Sequence, residues 1–479
     1  MSKRKLAVIG NGMGTCRLLD ELALRGATEH FEITVFGEEQ GGAYNRILLG
    51  RVLAGEAPNA IVTKTPDWYD AHGIRLVERA RVTRLDTTHK SIETADGRTR
   101  RYDLAVLATG SQPLVPPLDG MNGPDGELRQ GVFVYRTIGD CLRMRAHARP
   151  GDAAVVVGGG LLGLEAAKAL SDRGLHVTVI QVSGHLMNAQ LDLVGGEMLR
   201  RRIEAQGIFV RTGRTVESVY GDERPEGVVL DDGTRLGASM IVLACGVRPR
   251  VEVARASGLP VNRGIVVNDT LATEVHGVYA FGECAEHHGK TYGIVGPVWE
   301  QAAVLADVLS GKNPKARYRG SKLYTRLKVA GIDVASMGNT EPALETDDVI
   351  QVVEERKNAY RKLVVRGERL IGAMLVGHTS AAAALVQLFD RDDALPSDPL
   401  EALCPGAGAG NASTAERIVC NCHKVSEAEL VAEIGNGAES VEMLAAATRA
   451  GTGCGSCKGE LARLLESQGK TRLPLLAAS

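Results

Sequence analysis

The sequence predicts an α/β protein with two doubly wound units, a small α+β domain and a short helical module. Two similar stretches predict the doubly wound units, because each runs from a short apolar strand through a glycine-rich turn into a helical pattern. Two cysteine pairs between positions 420 and 457 mark the helical module as a separate part of the chain.

Length and composition indicate a soluble globular protein of several domains. The chain has 479 residues, of which 44% are apolar and 24% charged, and its net charge of −2 offers no basic field for nucleic acid or an anionic membrane. No apolar run is long enough to span a membrane. The apolar stretch in "MSKRKLAVIGNG" is too short for a signal peptide, so we expect a buried strand and a cytoplasmic protein.

The first glycine-rich stretch is "KLAVIGNGMGTCRLLDELALRG". Gly10 and Gly12 let the backbone turn sharply and approach a pyrophosphate at the N-terminus of a helix, where Met13 and Gly14 follow. Thr15 stands where the third glycine of this motif belongs. Because threonine is small, we expect the helix to pack on the strand with a slight shift.

The second stretch, "DAAVVVGGGLLGLEAAKALSDRGLHVTVI", repeats the design with the complete motif. Gly158, Gly160 and Gly163 are its glycines, and Leu161 and Leu162 begin the helix. One such motif is weak, since a structural turn can produce it. Two of them, each between a strand and a helix, predict two bound dinucleotides.

A polar residue at the end of the next strand usually holds the ribose of the dinucleotide. After "FEITVF" we assign Glu38, with a surface ion pair as the alternative. After "HVTVI" the matching residue is the neutral Gln181, and no Arg or Lys occurs from 182 to 190 to bind a 2′-phosphate. The second site is therefore expected to favour NADH without excluding NADPH.

Three further strand ends bring small residues to turns where a backbone can approach a ligand closely, although each could be an ordinary loop. They are "YDLAVLATGSQPLVPP", "MIVLACGVRPR" and "GVYAFGECAEH". A carboxylate directly after a strand suits hydrogen bonding to the hydroxyls of the ribityl chain of a flavin. The candidate residues are Ala108, Thr109, Gly110, Gly246, Gly282 and Glu283.

Together these motifs resemble the pyridine-nucleotide-dependent flavoprotein reductases, which have the pyridine nucleotide-disulfide reductase fold. The resemblance implies two interleaved Rossmann-like dinucleotide-binding domains, the first holding FAD and the inserted second holding NADH or NADPH. It makes Arg46 in "AYNRILLG" a candidate FAD contact, with a solvated loop charge as the alternative. Glu283 is one methylene longer than the usual Asp of the family.

Disulfide reductases carry a redox-active cysteine pair soon after the first unit, and this sequence lacks one. Between Cys16 and Cys141 there is no cysteine. The scattered cysteines are expected to be small buried or incidental residues, so a flavin must pass its electrons elsewhere. They are Cys16, Cys141, Cys245, Cys284 and Cys404.

The last part of the chain follows a segment rich in Pro, Gly, Ala and Ser, which predicts a linker. Ser426 and Glu429 have the form of a capping box at the first of three predicted helices. A C-x-C pair precedes that helix, and a C-x-x-C pair lies at the N-terminus of the third. The four cysteines are Cys420, Cys422, Cys454 and Cys457.

Four thiolates in this arrangement can surround one metal centre. In the cytosol, clustered cysteines bind metal more often than they form disulfides. Zinc and [2Fe–2S] both accept four cysteines, but structural zinc ribbons generally place their cysteines on β-hairpins, whereas this module is predicted to be all helical. We therefore predict a [2Fe–2S] cluster, with zinc or free thiols as alternatives. The module also resembles bacterioferritin-associated ferredoxin.

Almost the whole chain resembles the N-terminal half of the NADH-dependent nitrite reductase large subunit and the electron-transfer subunit of assimilatory nitrate reductases. The shared stretches include "VVGGGLLGLEAA", "LMNAQLD", "FGECAEH" and "AGTGCGSC". The resemblance implies an NAD(P)H-dependent oxidoreductase that passes electrons from NADH through FAD and [2Fe–2S] to a catalytic partner, with which it would form a hetero-oligomer. That partner would be a molybdenum nitrate reductase subunit or a sirohaem nitrite reductase.

Other functions stay open at this point. The partner could instead be a ferredoxin, a rubredoxin or an oxygenase, or the chain could be a redox-sensing binding protein without turnover. Without a further cysteine set for a [4Fe–4S]–sirohaem pair, the chain by itself is not expected to reduce nitrite or nitrate. Electron transfer through cofactors demands no acid–base side chain, so no residue is predicted to be catalytic.

The expected domains follow from these assignments. Alternation in the small domain predicts antiparallel strands, and Arg326, Lys328, Arg361 and Lys362 are expected on a solvated strand face, with an acceptor-facing role as the alternative. The boundaries are 1–115 and 245–315 for the FAD domain, 116–244 for the NAD(P)H domain, 316–390 for an interface domain, 391–416 for the linker and 417–470 for the [2Fe–2S] module.

Overall fold

The structure, a computed structural model, describes residues 3–403, 417–420, 423–453, 455 and 457–469, without the side chains of residues 327 and 329. The chain divides into two compact units. Unit 1 comprises Met1–Asn188 and Ile203–Ser321, and unit 2 comprises Ala189–Arg202 and Lys322–Ser479.

The first stretch of unit 1 begins with an apolar strand, the first glycine turn and a helix. Its elements are β1 (Arg4–Ile9), α1 (Met13–Leu24), β2 (Phe31–Phe36), β3 (Ala43–Tyr44), α2 (Leu49–Ala54), β4 (Val62–Lys64), α3 (Pro66–Ala71), β5 (Arg75–Val77), β6 (Val82–Asp86), β7 (Ser91–Thr94), β8 (Thr99–Arg101), β9 (Leu104–Leu107) and β10 (Ser111–Pro113).

The next stretch contains the second glycine turn between β12 and α5. Its elements are β11 (Val132–Val134), α4 (Ile138–His147), β12 (Ala153–Val157), α5 (Leu161–Asp172), β13 (His176–Gln181), α6 (Leu193–Glu204), β14 (Phe209–Thr212), β15 (Val216–Tyr220), β16 (Gly227–Leu230), β17 (Arg235–Gly237), β18 (Met240–Leu243) and β19 (Val247–Pro249). Residues 193–202 of α6 belong to unit 2.

The chain then returns to the first sheet. The elements of this stretch are α7 (Glu252–Ala256), β20 (Ile265–Val267), β21 (Val278–Ala280), β22 (Ala285–His287) and α8 (Val295–Ser310). Strand β21 pairs in parallel with β9, which completes a five-stranded sheet in the order β21-β9-β1-β2-β5. The first sheet therefore contains strands from both sides of the second stretch.

The second stretch forms its own five-stranded sheet in the order β11-β18-β12-β13-β14, in which every pairing is parallel. In both sheets the central strand is an apolar run covered on both faces, as parallel sheets require. Ala7 and Val8, which point to opposite faces of β1, are 4% and 0% exposed, and Val155 and Val156 of β12 are 1% and 0% exposed. These two sheets confirm the predicted doubly wound α/β fold.

Unit 2 contains an antiparallel sheet in the order β23-β24-β27-β26-β25 and the helical module. Its elements are β23 (Tyr324–Val329), β24 (Ile332–Gly338), β25 (Asp347–Glu354), β26 (Ala359–Arg366), β27 (Arg369–Val376), α9 (Ala382–Arg391), β28 (Ile418–Cys420), β29 (Val425–Ser426), α10 (Glu427–Gly435), α11 (Val441–Thr448) and α12 (Lys458–Ser467).

The prediction that four cations of this sheet lie on a solvated strand face is wrong for two of them. Lys362 on β26 is 3% exposed, and its Nζ lies 3.0 Å from Asp192 Oδ2 and 3.1 Å from Glu341 Oε1. The Arg361 side chain is 15% exposed and pairs with Glu354 at 2.9 Å. Both faces of β26 are covered, and carboxylates offset the charges that this coverage buries.

The other two cations of the sheet differ from each other. Lys328 on β23 is exposed, as expected. The Arg326 side chain is 26% exposed, and its guanidinium lies 3.4 Å from Glu460 Oε2. The expected solvated face thus holds for Lys328.

Part of the predicted linker is packed. Helix α9 extends to Arg391, and beyond it Leu395 and Leu403 are 8% and 1% exposed, in one core with α9 and its sheet. Residues 404–416, including Cys404, lie outside the described residues.

The terminal module has the predicted capping box but is not all helical. The Glu429 amide donates to Ser426 Oγ at 3.2 Å, and the Ser426 amide donates to Glu429 Oε2 at 2.8 Å. Strands β28 and β29 pair antiparallel just before α10, so Cys420 ends a strand. The β-branched pair in "IVC" favours this short hairpin over helix.

The two glycine motifs differ at their third position in how the helix packs on its turn. A Cβ on Gly163 would lie 1.9 Å from the carbonyl oxygen of Gly158, so α5 packs on its turn without room for a side chain. At the matching place, Thr15 is 1% exposed and its hydroxyl donates to the Gly10 carbonyl at 2.7 Å. A hydrogen bond therefore replaces the close contact in the first motif.

This contact predicts that Gly163→Ala destabilises the protein. The added methyl group has to displace the turn, and such overpacking costs about 1–3 kcal/mol, or roughly 3–10 °C in Tm. The measurement is thermal unfolding without added nucleotide. Gly160→Ala is the matched control, because a Cβ there meets nothing within 4 Å and its φ of −82° suits any residue. Equal Tm values for the two variants would contradict the packing argument.

Candidate functional site

The first glycine turn lies against the end of β9. A Cβ on Gly10 would be 2.2 Å from the Ala108 carbonyl oxygen, and Gly10 has a φ of 111°. A Cβ on Gly14 would be 3.0 Å from Val298 Cγ1, whereas a Cβ on Gly12 would meet nothing within 4 Å. The turn is therefore closed toward the protein and open at Gly12, where α1 begins with Met13. This opening suits a pyrophosphate.

The turn after β9 is held by a distant segment. Thr109 Oγ1 donates to the Arg250 carbonyl at 2.6 Å, and the Arg250 amide donates to the Gly110 carbonyl at 2.9 Å. A Cβ on Gly110 would lie 4.0 Å from Glu283 Oε2, which follows Gly282 in the turn after β21. The structure thus brings these predicted residues together at one edge of the first sheet.

Glu283 belongs to a polar cluster that sequence reasoning identified only in part. Ser111 Oγ donates to Glu283 Oε2 at 2.7 Å, and the Arg136 guanidinium pairs with the same carboxylate. Arg136 also donates to Ser111 Oγ at 2.7 Å. Arg136 was not predicted, because it lies in the second stretch of unit 1 and no local pattern connects it with Glu283.

Arg46 is connected to this cluster. Its guanidinium donates to the Arg136 carbonyl at 2.9 Å and to Glu39 Oε1 at 2.6 Å, and its side chain is 26% exposed. The Tyr44 hydroxyl donates to the other oxygen of Glu39 at 2.7 Å. Arg46 therefore bridges two segments of unit 1.

Glu38 lies two residues beyond β2, at the carboxyl edge of the first sheet. Its carboxylate pairs with Arg250 at 2.5 Å and approaches Arg81 at 3.9 Å, and its side chain is 44% exposed. The position suits a ribose contact, and the ion pair named as the alternative is also present. The Arg250 side chain and the Arg250 backbone together connect Glu38 with the turn after β9.

The second glycine turn repeats the first. A Cβ on Gly158 would be 2.3 Å from the Ala244 carbonyl oxygen, and the φ of Gly158 is 118°. A Cβ on Gly160 would meet nothing within 4 Å, at the start of the helix that contains Leu161, Leu162 and Gly163. Gly246, whose φ is 104°, follows the neighbouring strand β18 and accepts a hydrogen bond from the Leu114 amide at 2.9 Å.

Gln181 ends β13 as expected, but its amide is turned inward. Its Oε1 accepts from the Gly159 amide at 2.7 Å, its Nε2 donates to Asn188 Oδ1 at 3.1 Å, and the residue is 5% exposed. Val182 beside it is 67% exposed. In this conformation Gln181 braces the glycine turn.

A carboxylic acid and a phenol lie where α5 meets α2, and sequence reasoning missed both. A Cβ on Gly50 of α2 would be 3.7 Å from Tyr135 Oη and 3.9 Å from Glu165 Cβ. Burial raises the pKa of Glu165 to about 8. Tyr135 Oη is buried and has no hydrogen-bond partner among the described residues, and burial followed by the nearby Glu165 raises its pKa. The side chains of Glu165 and Tyr135 are therefore largely uncharged at neutral pH.

Two cysteines of the terminal module lie within its core. Cys420 ends β28 at 1% exposed, and Cys457 caps α12 at 4% exposed. Between them, His423 Nδ1 lies 3.0 Å from Arg449 Nη2 and His423 Nε2 lies 3.0 Å from Thr452 Oγ1. These contacts hold the segment after the C-x-C pair beside the segment before the C-x-x-C pair. The predicted ligands Cys422 and Cys454 lie outside the described residues.

The scattered cysteines of unit 1 have the properties of small core residues. Cys16, Cys141 and Cys284 are buried and Cys245 is half-buried. Burial raises the pKa of Cys16 to about 11 and that of Cys141 to about 12. Both thiols are neutral at physiological pH, which makes them poor nucleophiles.

Comparison with known families agrees with this geometry. The profile of the pyridine nucleotide-disulphide oxidoreductases matches residues 4–304. The chain belongs to this family. Residues 324–392 match the rubredoxin NAD⁺ reductase C-terminal domain, and residues 418–467 match the BFD-like [2Fe-2S] binding domain. These matches confirm the predicted fold class and the predicted cofactors FAD, NAD(P)H and [2Fe–2S].

Two relatives come from Bacillus subtilis. A nitrite reductase [NAD(P)H] is 38% identical over 97% of this chain and 58% of its own length. An assimilatory nitrate reductase electron transfer subunit is 36% identical over 96% of this chain and 59% of its own length. Both confirm the resemblance seen in the sequence. The chain spans less than two thirds of the length of either relative.

Solved structures show the same fold. The covalent putidaredoxin reductase–putidaredoxin complex superposes with a TM-score of 0.73 at 24% identity, over 84% of this chain and 96% of that chain. Among the described residues, no helix is both long and apolar enough to cross a membrane.

The burial of Glu165 predicts a pH dependence of stability. Its pKa is about 8 in the folded protein and 4.5 ordinarily, so between these values the folded state holds a proton that the unfolded chain has lost. Stability contributed by the neutral form is complete below about pH 4.5 and is lost as pH rises to about 8. We expect the free energy of unfolding of Glu165→Gln, relative to that of wild type, to increase by roughly 2–4 kcal/mol from pH 5 to pH 9.

The measurement is urea unfolding of both proteins at the two pH values. Glu32→Gln, which removes a carboxylate from an exposed position of β2, is the control for the loss of a charge. If wild type and Glu165→Gln showed the same pH dependence, the carboxyl group would not be desolvated as described.

Proposed function

We propose that this chain is the electron-transfer reductase of a nitrate or nitrite assimilation system. It would oxidise NADH, or less readily NADPH, and deliver electrons to a separate molybdenum nitrate reductase subunit or a sirohaem nitrite reductase. The observation that carries the proposal is that a two-dinucleotide reductase and a BFD-like [2Fe-2S] module occur in one chain. Relatives named for nitrite and nitrate reduction align with nearly all of it.

The proposal includes the domain boundaries stated from the sequence. Residues 1–115 and 245–315 would bind FAD, and residues 116–244 would bind the nicotinamide nucleotide. The pairing of β21 with β9 supports this division, since it returns the chain to the first sheet after the second is complete. Residues 316–390 and 417–470 would be the interface domain and the cluster module, and the predicted linker 391–416 would connect them, with its first part packed on the interface domain.

In the FAD site, the open side of the first glycine turn would receive the pyrophosphate. Gly10, Gly12, Met13 and Gly14 would contribute backbone N–H groups at the start of α1. Glu38 would accept hydrogen bonds from a ribose. The remaining FAD contacts would come from the polar cluster and the turn after β9, namely Arg46, Ala108, Thr109, Gly110, Gly282 and Glu283, with Arg136 added by the structure.

The nucleotide site would use the second turn in the same way. Gly158, Gly160, Leu161, Leu162 and Gly163 would surround the pyrophosphate of NAD(P)H. Gly246 would keep the end of β18 open, and Gln181 would hold the turn from within.

The cluster would be held by Cys420, Cys422, Cys454 and Cys457. When bound, FAD links two-electron and one-electron chemistry, and a [2Fe–2S] cluster carries single electrons. The chain binds and orients these groups, and no side chain is needed to move a proton. We propose a cytoplasmic location for the protein.

We predict that Cys454→Ser removes iron and acid-labile sulfide and stops electron delivery, while NADH still reduces the flavin. The reason is the serial order of the two units, with the cluster downstream of the flavin. Rapid-mixing absorbance follows flavin reduction, and elemental and sulfide analysis counts the cluster. Cys245→Ser, which changes a half-buried cysteine of unit 1, is the matched control and should keep the cluster. Zinc without sulfide in wild type would contradict the cluster, and lost flavin reduction in Cys454→Ser would contradict the order.

The acceptor is tested by reconstitution. The purified chain is mixed with NADH and either a molybdenum nitrate reductase subunit or a sirohaem nitrite reductase, and nitrite or ammonium is measured. We expect turnover with one of the two and none without the chain. Reduction of a ferredoxin with no turnover in either mixture would reject nitrogen assimilation and support the alternative partner. A chain that never oxidises NADH with an artificial acceptor would support the redox-sensing alternative.

A further inference from the structure

A group of metal-ligating side chains lies at the ends of two short strands in unit 1. Strands β20 and β22 pair in parallel, with Val267 opposite His287. Because the carboxyl ends of parallel strands meet at one edge, Asp269 comes to lie beside His287 and His288. None of these three residues contributes to the cofactor sites described above.

The ligand atoms of these residues converge. Asp269 Oδ1 lies 3.0 Å from His287 Nε2 and 2.8 Å from His288 Nε2, and all three atoms lie within 4.8 Å of one another. Ligands at about 2.0–2.1 Å from a tetrahedral zinc ion are roughly 3.3 Å apart. The two carboxylate–imidazole distances would therefore have to lengthen by about 0.3–0.5 Å to reach this spacing.

Two of the ligands are held in place by the fold. His287 is 3% exposed, and its ring packs beside Tyr318 with the ring centroids 4.9 Å apart. The Tyr318 amide donates to the Asp269 carbonyl at 2.7 Å, and the His287 amide donates to the Lys290 carbonyl at 2.9 Å. The buried imidazole and the carboxylate thus need little ordering before they bind an ion.

The third ligand leaves the site accessible. The His288 side chain is 72% exposed, so an ion can enter from solvent and keep water in its remaining coordination position. Two imidazoles and one carboxylate form a ligand set that suits Zn²⁺ and related divalent transition metals. The alternative is a hydrogen-bonded triad in which both imidazoles donate to one oxygen, and the two arrangements differ only in whether protons or a metal ion lie between the atoms.

One cation competes for this site. Arg319 Nη1 lies 3.1 Å from Asp269 Oδ2, and the Arg319 side chain is 78% exposed. The guanidinium contacts the oxygen that the histidines do not use, and it partly offsets the negative charge that attracts a metal. An exposed pair of this kind is weak, so it lowers metal affinity without blocking the site.

We propose that Asp269, His287 and His288 form a binding site for a divalent transition metal ion, Zn²⁺ foremost, distinct from the four-cysteine module. The site joins the end of β22 to the segment after β20. It depends neither on the identity of the electron acceptor nor on turnover.

The test is a zinc titration of the purified holoprotein, whose iron content is measured first so that the cysteine module is accounted for. Bound zinc is counted by elemental analysis after equilibrium dialysis at increasing ZnCl₂. We expect one zinc ion per chain in wild type, affinity at least about tenfold weaker in His288→Gln, and tighter binding in Arg319→Gln. Asp269→Asn should bind no zinc at this site.

The control variant is His276→Gln, which changes an exposed histidine outside the group and should bind zinc as wild type does. Thermal unfolding gives a second readout, since an ion bound to the folded state raises Tm by roughly 2–4 °C in wild type and not in His288→Gln. Equal zinc binding by wild type and His288→Gln would overturn the proposal. Weaker binding in Arg319→Gln would also contradict it, because removing a competing cation can only help an ion bound at Asp269.

Discussion

In both glycine turns, a backbone carbonyl at the end of the neighbouring strand lies where the side chain of any residue but glycine would begin. A Cβ on Gly10 would be 2.2 Å from the Ala108 oxygen, and a Cβ on Gly158 would be 2.3 Å from the Ala244 oxygen. Both glycines also have φ above 100°, a region that other residues rarely adopt. Neighbouring parallel strands can therefore end side by side, and the start of each following helix is left open. Both proposed dinucleotide sites depend on this close approach.

Features that depend on neighbours in sequence could be predicted from the sequence. The glycine turns and the Ser426–Glu429 capping box involve residues a few positions apart, and the structure contains all of them. Arg136 and Glu165 could not be found in this way. They join residues of the first stretch only because β11 and α5 fold back against it, and that return depends on tertiary packing, which local patterns do not record.

The burial of polar groups also could not be predicted from the sequence. Alternation along β26 assigns residues to two faces, but it does not show that a second segment covers the outer face. Lys362 is buried there because Asp192, 170 residues earlier, supplies the opposite charge. Gln181 is a similar case, since a neutral amide at a strand end suits either a ribose or the backbone of the turn. In the structure it contacts the Gly159 amide and Asn188.

The return of β21 to β9 has a consequence for how the chain is made. Val278 pairs with Ala105, which the ribosome has finished 173 residues earlier. At 5–20 residues per second, β9 emerges roughly 10–35 s before its partner exists. During that time a strand of four buried residues has one unpaired edge, a template for pairing with other chains. All strands of the second sheet have been synthesised once the chain reaches Leu243, so this sheet can fold before the last strand of the first sheet is made.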